Sequence, residues 1–565
     1  MDVDVVVLGT GLTESITAAA LSKAGFKVAH IDANPYYGGD DASLTLDELI
    51  DWADRHTSQP DALDNAYTSA QRARFASITH SSSSLPQSRQ YSLSLAPSII
   101  PSIGPLIDAL VASGVSRYGG FKLLEKVALY AAPGKVRHVP GSKEDVFKSK
   151  ELSLLDKRRL MRFLTFAAGE FEGSKELEGK VDVPFFGFLR ETFSLEDRTA
   201  GAIAYALAFC NSALDPTLPA LQRIRRYLRS TGRYGPSPFL LGHYGGLGEI
   251  AQGFCRTSAV NGATYILGRQ IASLDKKVSD EVITSSSGQR HKVELHDLEE
   301  KLICDVVVSP LDYLPSDIDA TTVPSLGPTP TYPVARCIAI IDRPLSFTTP
   351  DATTENPSEP ISDDGADSSR EREKAEEMAE EAKEEVDTAL LVFPPSTLPE
   401  NSGEVAVNVL ITGEGSMSAP RGKWILYITM PLLDASTATP DELLSPYLDA
   451  TLSLATPPPG DGAPVQALFT LFYIQHPPSQ PAQKLEAAAN ATVLVTPTCS
   501  PVLPEQGDLA TVNAESVFFK TVEMLKACGR CPRRKEGDEV VSGDVWEIES
   551  FWPPLDIVDD PSEDW

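Results

Sequence analysis

No run of about 18 or more apolar residues occurs in this 565-residue chain, so the sequence offers no helix able to span a bilayer. Basic charge is also short: 49 Lys and Arg against 79 Asp and Glu leave a formal net charge of -30. That balance argues against nucleic acid, whose phosphates need a basic surface, and would draw basic partners instead. Cysteine is sparse. The seven residues include a single C-x-x-C, Cys528 to Cys531, with no second pair or nearby His to make a zinc site, and free thiols are expected. Catalytic signatures are missing as well. There is no G-x-S-x-G or H-E-x-x-H, and the eight histidines lack metal-ligand spacing. Gly415 and Gly422-Lys423 enclose six residues where a P-loop has four, and Trp424 stands where it needs a hydroxyl. These absences favour a binding protein over an enzyme. Met1-Asp2-Val3 runs straight into a strand pattern with no room for a signal peptide, so a cytosolic protein is expected.

What the chain does contain is organised around its first forty residues. Val3 and Val5 to Leu8 read as a strand buried on both faces, Gly9-Thr10-Gly11 as a turn, Thr13 to Ala24 as a helix and Lys27 to Asp32 as a second parallel strand. This is a βαβ unit, with Asp32 where a dinucleotide-binding fold places its ribose-binding acid. The fingerprint breaks at its third glycine position, which is Glu14. A carboxylate there suits the helix dipole but occupies the anion site. At about 4 Å and an effective dielectric near 20 it would repel each phosphate charge by roughly 4 kcal/mol. On residue chemistry alone, a flavoprotein with an unusual loop stays open beside a scaffold that has lost its cofactor.

The length predicts two or three domains. Asn34-Pro35-Tyr36-Tyr37-Gly38-Gly39 is a turn with two adjacent aromatics, either of which could cover the sheet edge or make an exposed contact. Thr57 to Gln90, rich in Ser, Gln and Ala and including Ser81 to Ser84, reads as a mobile insertion. Leu154 to Phe171 has a helical apolar face. Ala200 to Leu214 is apolar nearly all round with many small side chains, which fits a buried core helix or the wall of an apolar slot. Arg223 to Arg233 is strongly basic. Ile271 to Leu298 resembles a hairpin, and Asp305 to Val308 gives a third strand for the first layer. Thr348 to Val386 turns Pro- and Ser-rich and then highly charged with no apolar face, and reads as a disordered or solvated insertion. Leu390 to Phe393, Val407 to Thr412, Trp424 to Thr429 and Ala467 to Ile474 predict a mixed or antiparallel sheet, and Ser516 to Leu525 a closing helix. The tail from Phe551-Trp552-Pro553-Pro554 to Trp565 is acidic with aromatic punctuation, the pattern of a peripheral clip or a linear contact motif.

Gly9 to Glu14, Asp32, Asn34 to Gly39, Ser116-Arg117-Tyr118 with Phe121-Lys122, and Tyr244 to Arg256 together resemble the family of GDP-dissociation inhibitors and escort proteins for Rab GTPases. The likeness is good over roughly Val3 to Ile271 and weaker over Asp305 to Leu345 and Leu390 to Leu525. The escort branch is the nearer one, through Val139-Pro140 with Ser142, Asp145-Val146-Phe147, Ser149-Lys150 and Lys157-Arg158 to Phe166.

The resemblance implies an α/β, flavoprotein-like (GDI-like) two-domain fold with no flavin or other cofactor. Domain I would comprise residues 1–145 and 232–525, with 348–386 as the acidic insertion. A helical domain II would span 146–231, and 526–565 would be a C-terminal tail. It implies a Rab-binding platform of Tyr37, Glu249, Gln252, Arg256 and Ile266, and a region for the Rab C-terminus at Arg117, Tyr118 and Phe121. It turns the Ala-rich segment into a prenyl pocket lined by Ala202, Tyr205, Ala206 and Phe209, and makes Tyr227 or its basic neighbours a transferase contact. The expected partners are GDP-bound Rab GTPases, the Rab geranylgeranyltransferase alpha/beta heterodimer, the geranylgeranyl lipid and, transiently, a membrane. The role would be a non-catalytic accessory one in the cytosol. The alternatives are an inhibitor that recycles prenylated Rabs and, from another class, an FAD-dependent oxidoreductase.

Overall fold

The computed structural model describes residues 1–59, 66–82, 85–139, 152–277, 290–315, 318–325, 332–347, 384–398, 403–434, 436–456, 464–478, 491–499, 503–533 and 547–553. The β-branched start of the chain forms β1 (Val5–Leu8), every residue of which is buried. The Gly-rich turn leads into α1 (Leu12–Lys23), and β2 (Val28–Asp32) returns parallel to β1. Far along the chain, α2 (Leu247–Val260) precedes β3 (Thr264–Leu267), followed by β4 (Val306–Ser309), β5 (Thr321–Thr322), β6 (Val493–Val495) and α3 (Gln506–Ala527). The six strands make one parallel sheet in the order β3-β2-β1-β4-β6-β5. Alternation sorts even the unbroken valine runs. Val5, Val7, Val306 and Val308 pack with α1, α2 and α3, while Val6, Leu8, Ile31 and Val307 pack with the antiparallel strands Ile271–Lys277, Arg290–Leu295 and Leu302–Cys304.

A second, mixed sheet of eight strands runs in the order Phe75–His80, Phe469–Gln475, Val334–Ile341, Trp424–Pro431, Val407–Thr412, Thr388–Phe393, Lys126–Ala132 and Lys135–His138. Only the pair Thr388–Phe393 and Lys126–Ala132 is parallel. One face, including Ile338, Leu390 and Tyr427, joins the core of the helical segment; the other, including Ala339, Leu391 and Val409, packs under the helix Pro440–Leu452. The helical segment comprises Leu154–Ala168, Phe185–Phe193, Asp197–Gly201 and Thr217–Ser230, with a π-helical turn at Ala202–Leu207.

Several expectations change. Thr57 to Gln90 is not simply a mobile insertion: Ala66–Arg74 is a helix and Phe75–His80 pairs with Phe469–Gln475 as the edge strand of the large sheet. An edge strand buries only Phe75 and Ile78 here, so its composition stays polar and hides the strand from a hydrophobicity reading. Residues 60–65 and 83–84 of that stretch lie outside the described residues. The Ala-rich stretch is buried from Ala202 to Cys210, while Leu214 at its end is exposed; it changes from α to π geometry, with the Ala208 amide donating to Ile203 O, and stops at Phe209, whose φ is 52°. Of the acidic insertion, 348–383 lies outside the described residues, and Glu384–Val386 is a strand antiparallel to Leu345–Phe347. The closing helix is longer than expected and starts at Gln506. The escort-like residues Pro140 and Ser142 to Lys150, and Pro554 to Trp565, also lie outside the described residues.

The loop after β2 lies against the start of α2 at backbone level. A Cβ on Gly248 would stand 2.6 Å from Ser43 N and 2.7 Å from Asp41 O, and one on Gly38 would stand 3.1 Å from Gly248 Cα. Because the obstructing atoms are backbone, Gly248→Ala is expected to destabilise the chain by about 1–3 kcal/mol despite alanine's better helix propensity. A lower urea midpoint than the parent would confirm it; an equal or higher one would refute the close packing.

Candidate functional site

The crevice at the carboxyl end of β1 and β2 is where a dinucleotide fold receives its ligand, and protein groups fill it. Asp32 is fully buried. Its Oδ2 accepts from Thr10 N at 2.7 Å and Thr10 Oγ1 at 2.6 Å, and its Oδ1 from Asn34 N at 2.7 Å and Tyr313 OH at 2.8 Å. Two donors on each oxygen use the lone pairs that a ribose diol would need. Burial raises the Asp32 pKa above the usual range, against the pull of these four donors. The loop closes over the turn. Gly38 N donates to Thr10 Oγ1 at 3.0 Å, and a Cβ on Gly39 would stand 3.5 Å from Gly11 N. Behind the turn, His30 Nε2 donates to Gly9 O at 2.6 Å, which leaves Nδ1 to accept from Tyr265 OH at 3.1 Å. Burial depresses the His30 pKa to about 4, consistent with that neutral tautomer.

Glu14 folds back over the start of α1, its Oε2 only 2.5 Å from where a Cβ on Gly11 would lie, and its Oε1 accepts from Thr496 Oγ1 at 2.5 Å. Burial pushes its pKa up to about 7, opposed by the Thr496 bond and by its own backbone N–H. The expectation of a full standing charge is thereby corrected. Near neutral pH the acid is part protonated, so it obstructs a phosphate chiefly by occupying the space and a first-turn amide, with charge second. Asp41 stands close by, also raised to about 7 by burial with Asp40 and Glu14 adding to the rise, and accepts from Gln506. A crevice lined by Glu14, Asp32, Asp40 and Asp41, with its acceptors engaged, does not fit a dinucleotide.

The outer face of α2 beside this crevice is open. Glu249, Gln252 and Arg256 follow at helical spacing on one stripe, Gln252 and Arg256 exposed and Glu249 half-buried, with its pKa raised by that burial. The inner face is pinned to α1 by Cys255 Sγ donating to Ser15 Oγ at 3.3 Å and by a 2.7 Å bond between the hydroxyls of Ser22 and Ser258. Gly253 lets the turn Val115–Arg117 press close, since a Cβ there would meet Val115 Cγ1 at 2.8 Å. Tyr118 is thereby carried under Arg256, with the guanidinium 4.6 Å from the ring centroid. Tyr118 is 59% exposed, so this pair forms a cationic-aromatic surface. Tyr37 is half-buried and edge-on to Tyr265 at 6.2 Å, and its neighbour Gly38 brings its loop to the base of the stripe, whereas Tyr36 packs into the core below.

The remaining sequence-predicted positions separate from this cluster. Ile266 pairs with Ile31 and packs on the opposite face of the parallel sheet from Tyr265, so it is not brought to the stripe. Arg117 is exposed beside Tyr118, and Phe121 is part-buried in the short strand Phe121–Leu123. Ala202, Tyr205, Ala206 and Phe209 are all buried core residues, packed in a cluster with Phe163, Phe185 and Phe188; the expected slot is filled by side chains. The cleft that Phe209 borders, with Asn211, Tyr332 and Asn408, holds about 20 Å³, room for one water and not for a lipid chain.

Tyr227 cannot be a surface contact. It is fully buried between Phe209 and Phe239, because Ala220, Ile224 and Tyr227 share the inner face of Thr217–Ser230. Its basic neighbours are engaged: Arg225 binds Glu172 bidentately at 2.7 and 2.8 Å, Arg229 binds Glu170, Arg223 lies 3.6 Å from Glu505 and Arg226 lies 2.9 Å from Asp508. Sequence reasoning missed Tyr313, Tyr265, Thr496 and Gln506, which close the crevice from 200 or more residues away and carry no local motif.

Comparison with known proteins places these features. The GDP dissociation inhibitor family matches residues 1–355. The Rab proteins geranylgeranyltransferase component A of Saccharomyces cerevisiae is 30% identical over 428 residues, covering 76% of this chain and 61% of that protein. The Drosophila melanogaster protein of the same name is 36% identical over 299 residues, 51% of this chain and 57% of that one. The chain thus matches a little under two thirds of the length of these relatives. Among solved structures, a Rab GDI from Plasmodium falciparum superposes with a TM-score of 0.58 at 20% identity, covering 92% of this chain and 98% of that one. An oxidoreductase from Methanosarcina mazei superposes at 0.50 and 16% identity, covering 92% and 100%. At such identities the two structures establish a shared fold.

Glu14 makes a pH prediction. Its folded pKa of about 7 lies above its ordinary value of 4.5, so the folded state holds the proton more tightly and this residue's contribution to stability falls as pH rises from about 4.5 through 7. Glu14→Gln, which keeps the Thr496 bond, is expected to be increasingly more stable than the parent towards pH 8, by up to about 3 kcal/mol, and similar to it near pH 5. Urea unfolding at both pH values measures this; a constant difference between the two proteins would count against a buried, titrating Glu14.

Proposed function

The chain belongs to the GDP dissociation inhibitor family, and on that premise we propose that it escorts Rab GTPases, presenting the GDP-bound form to Rab geranylgeranyltransferase and carrying the prenylated product to membranes. The observation that carries this reading is the saturated carboxylate of Asp32. Beside it the Glu14 carboxyl takes the phosphate position, so a nucleotide-type scaffold is closed to nucleotide while α2 stays open to a protein. The chain does no chemistry itself. Glu249, Gln252 and Arg256 offer hydrogen bonds, two of them charge-assisted, to the switch regions of a Rab, with Tyr37 as an aromatic anchor at the stripe's base. The GDP form is preferred because the γ-phosphate of GTP holds those switches in another order. Arg117, Tyr118 and Phe121 adjoin the stripe and take the Rab C-terminal segment. Ile266 contributes from the sheet edge at most.

Domain I in this reading is 1–145 with 232–525, and the helical domain 146–231 holds lipid and transferase. The lipid site needs the core around Ala202, Tyr205, Ala206 and Phe209 to part. A π-turn is a suitable place, since its hydrogen bonds pack less regularly than an α-helix, and a C20 chain returns about 0.8 kcal/mol per buried CH₂. With Tyr227 buried, the part-exposed Arg226 and the exposed Arg229 are the basic positions on that helix best placed to meet the transferase. The escort reading is favoured over a recycling inhibitor by the names of the curated relatives.

Arg256→Ala is expected to weaken binding to a GDP-loaded Rab by about tenfold or more, with an unchanged thermal unfolding curve. Calorimetry on both proteins checks this, and equal affinity would remove Arg256 from the platform. In a reconstitution from purified transferase, geranylgeranyl diphosphate and unprenylated Rab, prenyl transfer is expected only when this chain is added. Equal transfer without it would end the escort assignment, and a flavin absorption band in the purified protein would restore the oxidoreductase alternative.

A further inference from the structure

The clip anticipated at Phe551-Trp552 folds back onto the helix layer. Trp552 stacks on Phe254 of α2, with ring centroids 5.9 Å apart and planes 26° apart. Phe551 lies 5.3 Å from Phe518 of α3 and 4.9 Å from Trp552, so two adjacent rings bridge two helices. Phe254 is fully buried and lies two residues from both Gln252 and Arg256, hence on the inner side of the turn that displays them outward. The attachment is almost wholly apolar. Among the described residues no backbone hydrogen bond joins 547–553 to the rest of the chain, Ser550 Oγ donates only to Trp552 O, and the buried Trp552 Nε1 finds no acceptor. Earlier, the chain is fixed where Arg533 N donates to Gly25 O at 3.0 Å, against the turn that follows α1.

We infer that residues 547–553 are a detachable strap whose two aromatic rings brace α2 from behind, which makes Phe551 and Trp552 positioning residues for the protein that docks on the Glu249, Gln252 and Arg256 stripe. The docking half of this inference rests on the Rab reading; the bracing half does not. Other elements also hold α2, through backbone contacts at Gly248, the press of Val115 on Gly253 and the bonds of Cys255 and Ser258 to α1, and to these the strap adds an aromatic cover over Phe254. A brace made of ring contacts with no backbone ladder can leave and return without unfolding either helix.

The test uses the full chain as Trp552→Ala, Trp552→Phe and Arg256→Ala, with amide hydrogen exchange resolved by segment and affinity for a GDP-loaded Rab. Trp552→Ala is expected to speed exchange across residues 247–260 by about tenfold while leaving the eight-stranded sheet unchanged, and to weaken Rab binding by about fivefold; Trp552→Phe restores most of both. Unchanged exchange in 247–260, or an equal rise throughout the protein, overturns the brace. Faster exchange in 247–260 with full Rab affinity, while Arg256→Ala binds weakly, overturns the positioning role. If Arg256→Ala binds as tightly as the parent, it is the Rab reading that fails, and the exchange pattern alone decides for or against the strap.

Discussion

Four donors converging on one buried carboxylate set the terms for everything around them. Asp32 ends β2 and cannot sit dry and ionised without partners; Thr10, Asn34 and Tyr313 supply them from the Gly-rich turn, the following loop and a segment beyond β4. In a nucleotide-binding relative of this fold such an acid is kept free for a sugar. Here its satisfaction ties three separate segments together, drawing the loop down over Gly11 and leaving the acid with no valence for a ligand. An acid of the kind that binds a ribose elsewhere serves here as a structural knot.

That knot also explains why α2 is where it is. The loop it draws in carries Gly38 to Gly248, and contact between those two backbones allows no side chain on either. The stripe of Glu249, Gln252 and Arg256 therefore inherits its position from the closed crevice, and the cation-aromatic pair with Tyr118 follows from a second glycine, Gly253, that admits the neighbouring turn. Polar residues face outward on a helix whose inner side is small, hydroxylated or aromatic, the division of faces that an amphipathic helix at the surface takes.

Local patterns carried much of this. The βαβ unit, the apolar strand runs of the large sheet and the odd residue at position 14 were legible because each depends on neighbours within a few positions. The bonds that decide the chemistry were not. Tyr313 and Thr496 reach Asp32 and Glu14 across 281 and 482 residues, and nothing in their own surroundings marks them. The same limit misled the reading of Tyr227, whose basic flanks suggest a surface while helical phase turns it inward, and of Phe75 to His80, whose polar composition conceals an edge strand. The Ala-rich stretch read by composition as core or slot wall and by resemblance as a pocket, and its π-helical turn depends on backbone geometry that composition does not encode.

The arginines at 223 and 226 have a mechanical meaning. They run from the helical segment to Glu505 and Asp508 at the head of α3, and Asp508 also caps the Leu106 amide at 3.0 Å. The helical segment is thus joined to α3 by ion pairs as well as by the continuous chain, and the same Asp508 carboxylate binds a third segment at Leu106.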